Sequence, residues 1–296
     1  MLIDGKAVAA DVKEFLKRNI EDYRPLIGRA PKLLVLMVGD DPASATYVKN
    51  KEKACKAVGI ETQTLHYTPT DINLGKTDQT LLYSHSLEGM LIDAIDRANR
   101  DNTIDGILVQ LPLPQELDTK KILNHIDPRK DVDGFTSTCK GNLYNGIFSY
   151  IPCTPAGIIK LLDKYNISVS GKNVVIVGRS NIVGQPLAKL MLDLDGTVTI
   201  CHSKTQNLAE ITKTADILVA AVGKPKMITA DMVKDGAVVI DVGINRIDGK
   251  LCGDVDFDNV EPKASYITPV PGGVGPMTIA MLLDNTFRAY VMNNLR

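Results

Sequence analysis

The sequence predicts an α/β protein whose parallel sheets are covered by helices. Short apolar runs rich in β-branched residues recur along the chain, and segments with helical periodicity lie between them. Such near-continuous apolar runs are typical of parallel strands, which are buried on both faces. The strand runs are 33–38, 104–111, 174–177, 197–201, 217–222 and 238–242, and the helical segments lie around 6–20, 43–58, 86–99, 155–165, 185–193, 207–214 and 277–291.

In the first half of the chain, turn chemistry marks where elements begin and end. Asp41 followed by Pro42 is typical of a helix N-cap with proline at the first helical position. Gln110 closes an apolar run, and segment 111–114 contains two prolines, which stop strand pairing. These signals place a helix after the first strand run and a loop after the second.

Two prolines mark a domain boundary within 150–157. Thr154 is expected to cap the next helix, with Pro155 at its first position. From Gly171 onward the strand runs follow one another more closely, as in a compact doubly wound, Rossmann-like sheet. We therefore predict domains at 1–150 and 151–276, with the last helix, 277–296, crossing back to complete the first domain.

Composition excludes several classes of protein. Hydrophobic residues make up 44% and charged residues 23%, which excludes a collagen-like or disordered chain. The formal net charge of −1 gives no general attraction to nucleic acid or to an anionic membrane surface. The longest clean apolar run, 33–38, is far shorter than the roughly 20 residues of a membrane-spanning helix.

The N-terminal segment and the cysteines predict a cytoplasmic protein without a metal site. Asp11 and Glu14 lie in the first amphipathic stretch, unlike in a signal or transit peptide. The 5 cysteines include no C-x-x-C pair, and the 4 histidines form no H-x-x-x-H pair. The acidic run 254–258 begins like a calcium loop, but Asn259 and Ser265 replace the required glycine and glutamate.

A strand-to-helix turn within 174–188 is a candidate dinucleotide site. Gly178 and Gly184 lie in it, yet Ser180 takes the second glycine position of a G-x-G-x-x-G fingerprint, and the last glycine comes one residue late. On spacing alone, a cofactor turn and a plain strand-turn-helix connection both stay open.

The end of the following strand favours NADP over NAD, if a dinucleotide binds. An NAD site usually has an acid there to hold the ribose hydroxyls, whereas 196–209 contains none. Arg179, His202, Ser203 and Lys204 suit a ribose phosphate instead. For His202 and Lys204 the alternative is an ordinary solvated loop.

Polar side chains also stand after the first strand, at the edge where open α/β sheets bind ligands. Tyr47 and Lys51 are four residues apart and therefore share one face of the predicted helix. Because Lys49 and Lys53 lie beside it, Lys51 also fits a solvated helix face.

Gln110 and Asp133 are two further candidates. Gln110 presents an uncharged amide at a strand end, where a ligand contact and a simple strand terminus are the alternatives. Asp133 precedes Gly134, so its carboxylate suits either a ligand contact or an Asp-Gly turn.

Eight segments form a specific pattern when they are taken together, and they run in order through nearly the whole chain. The segments are Ser44-x-x-Tyr47-Val48-x-x-Lys51-x-Lys53-Ala54, Gly106-Ile-Leu-Val-Gln110-Leu-Pro112-Leu-Pro114, Lys130-Asp-Val-Asp133-Gly-Phe135, Pro152-Cys-Thr-Pro-Ala-Gly157, Val177-Gly-Arg-Ser180, Cys201-His-Ser-Lys-Thr205, Gly253-Asp-Val-Asp-Phe257 and Pro269-Val-Pro-Gly-Gly-Val-Gly-Pro276. The pattern resembles the bifunctional methylenetetrahydrofolate dehydrogenase/cyclohydrolase family, in which the glycine turn has the same imperfect spacing.

This resemblance implies an N-terminal folate-site domain completed by the last helix, an NADP-binding Rossmann-like domain, a substrate cleft between them and a homodimer. The implied catalytic residues are Lys51, Tyr47, Gln110 and Asp133. The implied substrate contacts are Tyr47, Lys51, Val109, Gln110, Leu111, Asp133, Pro271, Gly272, Gly273, Val274 and Gly275, and the implied cofactor contacts are Gly178, Arg179, Ser180, Ser203 and Ile244.

The implied activity is that of an oxidoreductase and hydrolase in one-carbon metabolism. Hydride passes from 5,10-methylenetetrahydrofolate to NADP, and hydrolysis converts the methenyl product to 10-formyltetrahydrofolate, an interconversion that serves purine biosynthesis. Lys51 is the implied central group of ring opening, and Gln110 orients its amine. Tyr47 packs on the aromatic part of the folate, Asp133 binds the pterin edge, and the glycines of 272–275 let the main chain approach the ligand.

Two segments depart from the family pattern: 71–86 is longer than the usual connection, and 140–145 differs in its amino-acid sequence.

Two alternative functions stay open beside the resemblance. One is an NADP dehydrogenase for another small substrate, such as a shikimate-like hydroxy acid, which segments 44–51 and 271–276 disfavour. The other is a non-catalytic nucleotide-binding regulator, which has no need for Lys51, Gln110 and Asp133 together.

Overall fold

A computed structural model describes residues 1–68 and 86–295 of the chain. The chain forms two compact units. The three-stranded unit comprises Lys13–Ile151 with Leu282–Arg296, and the five-stranded unit comprises Met1–Val12 with Pro152–Met281. Helices α1 (Gly5–Ile27) and α10 (Val274–Asn294) each contribute residues to both.

The three-stranded unit contains a parallel sheet, with α2 and α3 between its successive strands and α4 and α5 after the last one. The strands stand in the order β2-β1-β3, and both pairings are parallel. The elements are β1 (Lys32–Val38), α2 (Pro42–Val58), β2 (Glu61–Tyr67), α3 (Leu87–Arg100), β3 (Gly106–Val109), α4 (Thr119–Asn124) and α5 (Ser137–Tyr144). Its core includes Leu34 and Leu36 of β1, Ile107 and Val109 of β3, and Leu91 and Ile95 of α3.

The five-stranded unit is a doubly wound parallel sheet. Its elements are α6 (Cys153–Lys164), β4 (Asn173–Val177), α7 (Gly184–Asp193), β5 (Thr197–Cys201), α8 (Leu208–Thr212), β6 (Ile217–Ala220), a 3-10 turn (Ala230–Met232), β7 (Val238–Asp241), the antiparallel hairpin β8 (Asn245–Ile247) and β9 (Lys250–Cys252), α9 (Phe257–Val260) and β10 (Tyr266–Ile267). The main sheet has the order β10-β7-β6-β4-β5. Val174 and Ile176 pack in the core on one face, whereas Val175 and Val177 pack in the core on the other.

The α/β prediction is confirmed, and the six predicted strand runs all contain strands. Strand β2 was not among them, because its sequence, ETQTLHY, is largely polar and its residues stay partly exposed at the sheet edge. The predicted strand 104–111 is too long, since pairing ends at Val109 before the prolines. The elements that periodicity missed, α4, α5, α9, β8, β9 and β10, are two to eight residues long.

The predicted cap of helix α6 is wrong. The helix begins at Cys153, two residues before Pro155, and its N-cap is Pro152, which supplies no side-chain hydrogen bond. Pro155 is tolerated in the first turn because the N–H groups there have no helical acceptor. Thr154 instead shares a hydrogen bond of 3.0 Å between its Oγ1 and that of Thr278.

The predicted insertion at 71–86 lies outside the described residues except for Ser86. This serine caps α3, because its hydroxyl accepts a hydrogen bond from Gly89 N at 3.0 Å. Across the two described ranges, no helix has both the length and the apolar character that a membrane crossing requires.

Candidate active site

Helix α2 carries the first predicted site residues, and a capping interaction fixes its start. The carboxylate of Asp41 accepts a hydrogen bond from Ser44 N at 2.7 Å, and Pro42 stands at the start of the helix, as predicted. This bond lowers the pKa of Asp41 because it favours the charged form. The cap therefore sets the direction in which α2 leaves β1, and with it the face that carries Tyr47 and Lys51.

Lys51 and Gln110 meet at the carboxyl end of the three-stranded sheet. Lys51 is only 9% exposed, and its Nζ donates to Gln110 Oε1 at 3.0 Å. Gln110 is itself held twice: its main-chain N donates to Leu36 O at 2.8 Å, and its Nε2 donates to Leu111 O at 2.7 Å. The second bond turns Oε1 towards the lysine. The solvated-face alternative for Lys51 is thus wrong.

The titratable groups four residues before and after Lys51 on its helix are neutral. Burial raises the pKa of the Tyr47 phenol, and it raises the pKa of the Cys55 thiol to about 12, so both groups are uncharged at pH 7. Within the described residues, the lysine forms no ion pair with a carboxylate. Because a carboxylate partner would favour the charged amine, a neutral amide acceptor suits an amine that takes part in proton transfer.

Asp133 follows a segment that runs beside β3. Ile107 forms a parallel bridge with Asp131, and Ile107 N donates to Lys130 O at 2.8 Å, so the chain advances towards the strand end that carries Gln110. Gly134 then turns the chain with φ of 68°, and its N donates to Asp131 O at 3.0 Å. The Asp-Gly turn is present, and it leaves Asp133 half-buried.

The candidate dinucleotide turn joins β4 to α7. Strand β4 lies between β5 and β6, so the chain changes its direction of growth across the sheet there, which is where open α/β sheets bind ligands. Gly178 has φ of 133°, and a Cβ on it would overlap the carbonyl oxygen of Ala221, in the loop after β6. The Ser180 hydroxyl accepts from Val183 N at 3.1 Å, beside the start of α7. This close-packed main chain fits a dinucleotide phosphate turn.

The end of β5 adjoins this turn, since Gly178 N donates to Cys201 O at 2.9 Å. Arg179 is exposed on one of the two loops, and Ser203 and Lys204 are exposed on the other. The exposed guanidinium, hydroxyl and ammonium groups match the chemistry of a ribose phosphate.

The predicted ligand segment 271–275 precedes and opens α10. Gly272 has φ of 116°, and a Cβ on it would touch the side chain of Lys6 at 3.4 Å. A Cβ on Gly273 would lie 2.7 Å from the Cβ of Thr268. The close approaches at these two glycines are therefore to the chain itself, and their predicted ligand contacts stay predictions.

Gly275 has more space around it, and its nearest neighbour is a predicted cofactor residue. A Cβ on Gly275 would lie 3.9 Å from Cδ1 of Ile244. Ile244 is 48% exposed, although the segment around it is well ordered by hydrogen bonds. Within the five-stranded unit, a predicted substrate residue and a predicted cofactor residue thus lie side by side.

Two buried carboxylates at the same edge of the five-stranded sheet were not among the predicted site residues. Asp241 is 2% exposed and Asp254 is fully buried. Burial raises the pKa of Asp241 to about 6, against the effect of hydrogen bonds from three main-chain N–H groups. The signal available in the sequence is an acid inside the apolar strand run 238–242.

Two family models cover most of the chain. The catalytic domain of tetrahydrofolate dehydrogenase/cyclohydrolase matches residues 3–133, and its NAD(P)-binding domain matches residues 152–294. A protein of Campylobacter hominis named bifunctional protein FolD is 55% identical over 289 residues, which cover 97% of this chain and 96% of that protein.

Solved structures agree with the family models. The bifunctional methylenetetrahydrofolate dehydrogenase/cyclohydrolase of Campylobacter jejuni superposes with a TM-score of 0.91 at 46% identity, over 98% of both chains. The Trypanosoma brucei dehydrogenase-cyclohydrolase, solved with NADP cofactor and an inhibitor, gives a TM-score of 0.89 at 35% identity, over 99% of this chain and 97% of that one. The chain belongs to the bifunctional tetrahydrofolate dehydrogenase/cyclohydrolase family.

Proposed function

We propose that this chain oxidises 5,10-methylenetetrahydrofolate with NADP and hydrolyses the methenyl product to 10-formyltetrahydrofolate, with Lys51 as the group that serves ring opening. The observation that carries the proposal is the buried Lys51 amine, held at 3.0 Å by the Gln110 amide oxygen at the end of a parallel strand. A solvated surface lysine, in contrast, forms its hydrogen bonds with water.

The oxidation step requires little proton transfer by protein side chains. Loss of hydride leaves a methenyl cation that two flanking nitrogens stabilise, so the residues contribute mainly by holding the substrate in place. When bound, NADP supplies the hydride acceptor. Gly178, Arg179, Ser180 and Ser203 would hold it, together with Ile244 beside Gly275.

The hydrolysis needs proton transfers. A water oxygen forms a bond to the one-carbon centre and loses both of its protons, one to a ring nitrogen and one to solvent. The bond between that nitrogen and the carbon breaks, and the carbon–oxygen bond becomes the carbonyl of the formyl group. In our proposal Lys51 Nζ holds and moves a proton at the carbon centre, and Gln110 keeps the amine aimed by its hydrogen bond.

The other substrate contacts belong to the same proposal. Tyr47 packs its ring on the folate, and Asp133 accepts hydrogen bonds from the pterin edge. The side chain of Val109 is buried in the core, so in our proposal Val109 contacts the substrate through its main-chain atoms. The remaining assigned contacts are Leu111, Pro271, Gly272, Gly273, Val274 and Gly275.

An absorbance assay tests the two activities together. Methylenetetrahydrofolate is supplied with NADP or with NAD, and NADPH and the methenyl compound are followed at separate wavelengths. We expect reduction of NADP faster than of NAD, with little methenyl build-up. Accumulation of the methenyl compound would contradict the hydrolase activity. Absence of reduction with either cofactor would contradict the dehydrogenase activity and favour the nucleotide-binding regulator.

We also propose that the protein is a cytoplasmic homodimer whose product supports purine biosynthesis. Strand β5 is an edge of the five-stranded sheet, and Ile200 on it is exposed together with Leu192 and Leu194 of the preceding segment. An exposed strand edge with apolar side chains favours pairing with a second copy. Light scattering after gel filtration is expected to give twice the chain mass for the wild type and less for Ile200→Lys. A monomeric wild type contradicts the proposal.

The proposed cytoplasmic location is supported by the cysteines. Cys55, Cys139, Cys153 and Cys201 are free and buried, which suits a reducing compartment.

A further inference from the structure

The acidic run 254–258 contains a carboxylate with an unusual set of partners. Asp254 is fully buried. Its Oδ2 accepts hydrogen bonds from Val222 N at 2.6 Å and Gly223 N at 3.0 Å, and its Oδ1 accepts from Lys224 N at 2.8 Å. Three successive main-chain N–H groups of the loop after β6 therefore converge on one side chain.

The same carboxylate also holds the segment after β7. Asn245 Nδ2 donates to Asp254 Oδ1 at 2.9 Å, and a Cβ on Gly243 would overlap that oxygen. Asp241 ties the other end of the network, because it accepts from Gly243 N and from Asp254 N, each at 2.9 Å. The segment 243–245, which carries the exposed Ile244, is thus fixed from both sides.

These two segments stand at the ligand edge of the sheet. The loop after β6 packs against the candidate dinucleotide turn at Gly178 through Ala221, and Ile244 lies beside Gly275. A buried charge is costly unless hydrogen bonds compensate it. Asp254 is buried and accepts four hydrogen bonds from two segments at this edge, so it fixes the shape of that edge.

The network also decides where an anion can bind. Successive main-chain N–H groups in a turn form a ready site for a phosphate. In the turn 222–224 these groups already bind the protein's own carboxylate, so the turn cannot offer them to a cofactor phosphate. The Gly178 turn is therefore the candidate for the cofactor phosphates in this unit, and the loop after β6 is not.

We propose that Asp254 is a positioning residue for NADP: it holds the 222–224 turn and the Ile244 segment in the geometry that binds the dinucleotide. The inference rests on the proposed function in its choice of cofactor. It goes beyond that function by assigning a role to a buried residue that is not among the proposed ligand contacts and that acts through the two segments it holds.

Asp254→Asn tests the role, because the amide keeps the shape of the side chain but loses one accepting atom. The NADP dissociation constant, measured by calorimetry, is expected to rise by about tenfold or more. Deuterium exchange of the ligand-free protein is expected to speed up in peptides that contain 222–224. Hydrolysis of methenyltetrahydrofolate, assayed without cofactor, is expected to stay within about twofold of wild type.

A second substitution provides a matched rescue. In Asp254→Asn the new amide group faces other donors, among them the Asn245 side chain. Adding Asn245→Asp supplies an acceptor there, so the double variant is expected to recover part of the NADP affinity. Asn245→Asp alone sets two carboxylates against each other and is expected to weaken NADP binding.

Two results would overturn the proposal: NADP affinity unchanged in Asp254→Asn, or a fall in hydrolysis and in Tm without a specific loss of NADP binding, which indicates a merely structural role. If Asp254→Asn does not fold, Gly223→Ala decides, since Gly223 has φ of 65° and, among the residues that the structure describes, no atom beyond its chain neighbours lies within 4 Å of an added Cβ. That variant strains the turn alone, and unchanged NADP affinity in it contradicts the proposal. A wild type that binds NADP without turnover would refute the proposed function while leaving these binding measurements valid.

Discussion

Asp133 lies in a turn of the main chain, and we propose that it also binds the substrate. It precedes the positive-φ Gly134 and lies in a segment that advances beside β3 towards Gln110. The turn belongs to the main chain, since Gly134 N donates to Asp131 O.

We expect Asp133→Ala to raise the KM for methylenetetrahydrofolate by about tenfold or more, because hydrogen bonds from the pterin edge to a charged acceptor are worth roughly 1.5–3 kcal/mol. The effect on kcat is expected to be smaller. Asp133→Asn, which keeps the size and one accepting oxygen, serves as the control and is expected to lose less. Unchanged KM and kcat in the alanine variant count against the assigned role.

Asp241 gives a prediction about pH. Its pKa is raised from the ordinary 3.8 to about 6 by burial, so between these values the folded protein binds more protons than the unfolded chain. The free energy of unfolding therefore falls as pH rises, by about 1.4 kcal/mol per pH unit from this group. The stability advantage of wild type over Asp241→Asn is expected to shrink between pH 4 and pH 6, as measured by urea unfolding.

Asp216 provides the matched control for that experiment. A hydrogen bond from Lys234 lowers the pKa of Asp216, so its stability contribution is lost only as pH falls below the ordinary value. The difference between wild type and Asp216→Asn is expected to stay flat from pH 4 to pH 6. An equally flat difference for Asp241→Asn contradicts the raised pKa.

At the scale of elements, two helical glycines distinguish close packing from open surface. A Cβ on Gly157 in α6 would lie 2.8 Å from the Cβ of Met277 in α10, whereas a Cβ on Gly141 in α5 would meet no described residue beyond its own helix within 4 Å. We expect Gly157→Ala to destabilise the protein by about 1–3 kcal/mol through overpacking. Gly141→Ala is expected to stabilise it by roughly 0.5–1 kcal/mol, because alanine favours a helix more than glycine does.

Chemical unfolding followed by circular dichroism measures both changes on the full chain. The two variants share the same substitution and the same type of element, so their opposite signs isolate the packing of α6 against α10. A neutral or stabilising Gly157→Ala would show that this contact relaxes without cost.

Elements were predictable where local chemistry decides them. The apolar runs of β1, β4 and β7, and the Asp41 cap with Pro42, are properties of the sequence itself. Strand β2 was missed because an edge strand with a polar sequence gains its stability from pairing with β1. The start of α6 was misplaced because no side chain marks it.

The sequence allowed the residues of the candidate site to be predicted, but not the contacts between them. Tyr47 and Lys51 share a helix face by spacing, but periodicity favours a solvated Lys51, and the contact with Gln110 is made across 59 residues of sequence. The Asp254 network joins segments that begin at 222, 241 and 254, and only the folded sheet brings their main-chain N–H groups together. Neither kind of long-range contact has a local signal.

For the whole molecule, two activities in one chain have different chemical requirements. Oxidation needs substrate and NADP to be held in place, whereas in our proposal ring opening also needs proton transfer by Lys51. The two activities should therefore separate when the amine is removed and the rest of the fold is kept.

Lys51→Met is the most direct test, because methionine keeps the length and the apolar stem of the side chain but has no amine. Both activities are measured on one preparation, with Tm and the NADP dissociation constant as checks of folding. We predict loss of methenyltetrahydrofolate hydrolysis by at least about a hundredfold, in the range typical for removal of a general acid or base, with measurable NADP reduction and accumulation of the methenyl compound. Equal retention of both activities in this variant would contradict the central role of Lys51.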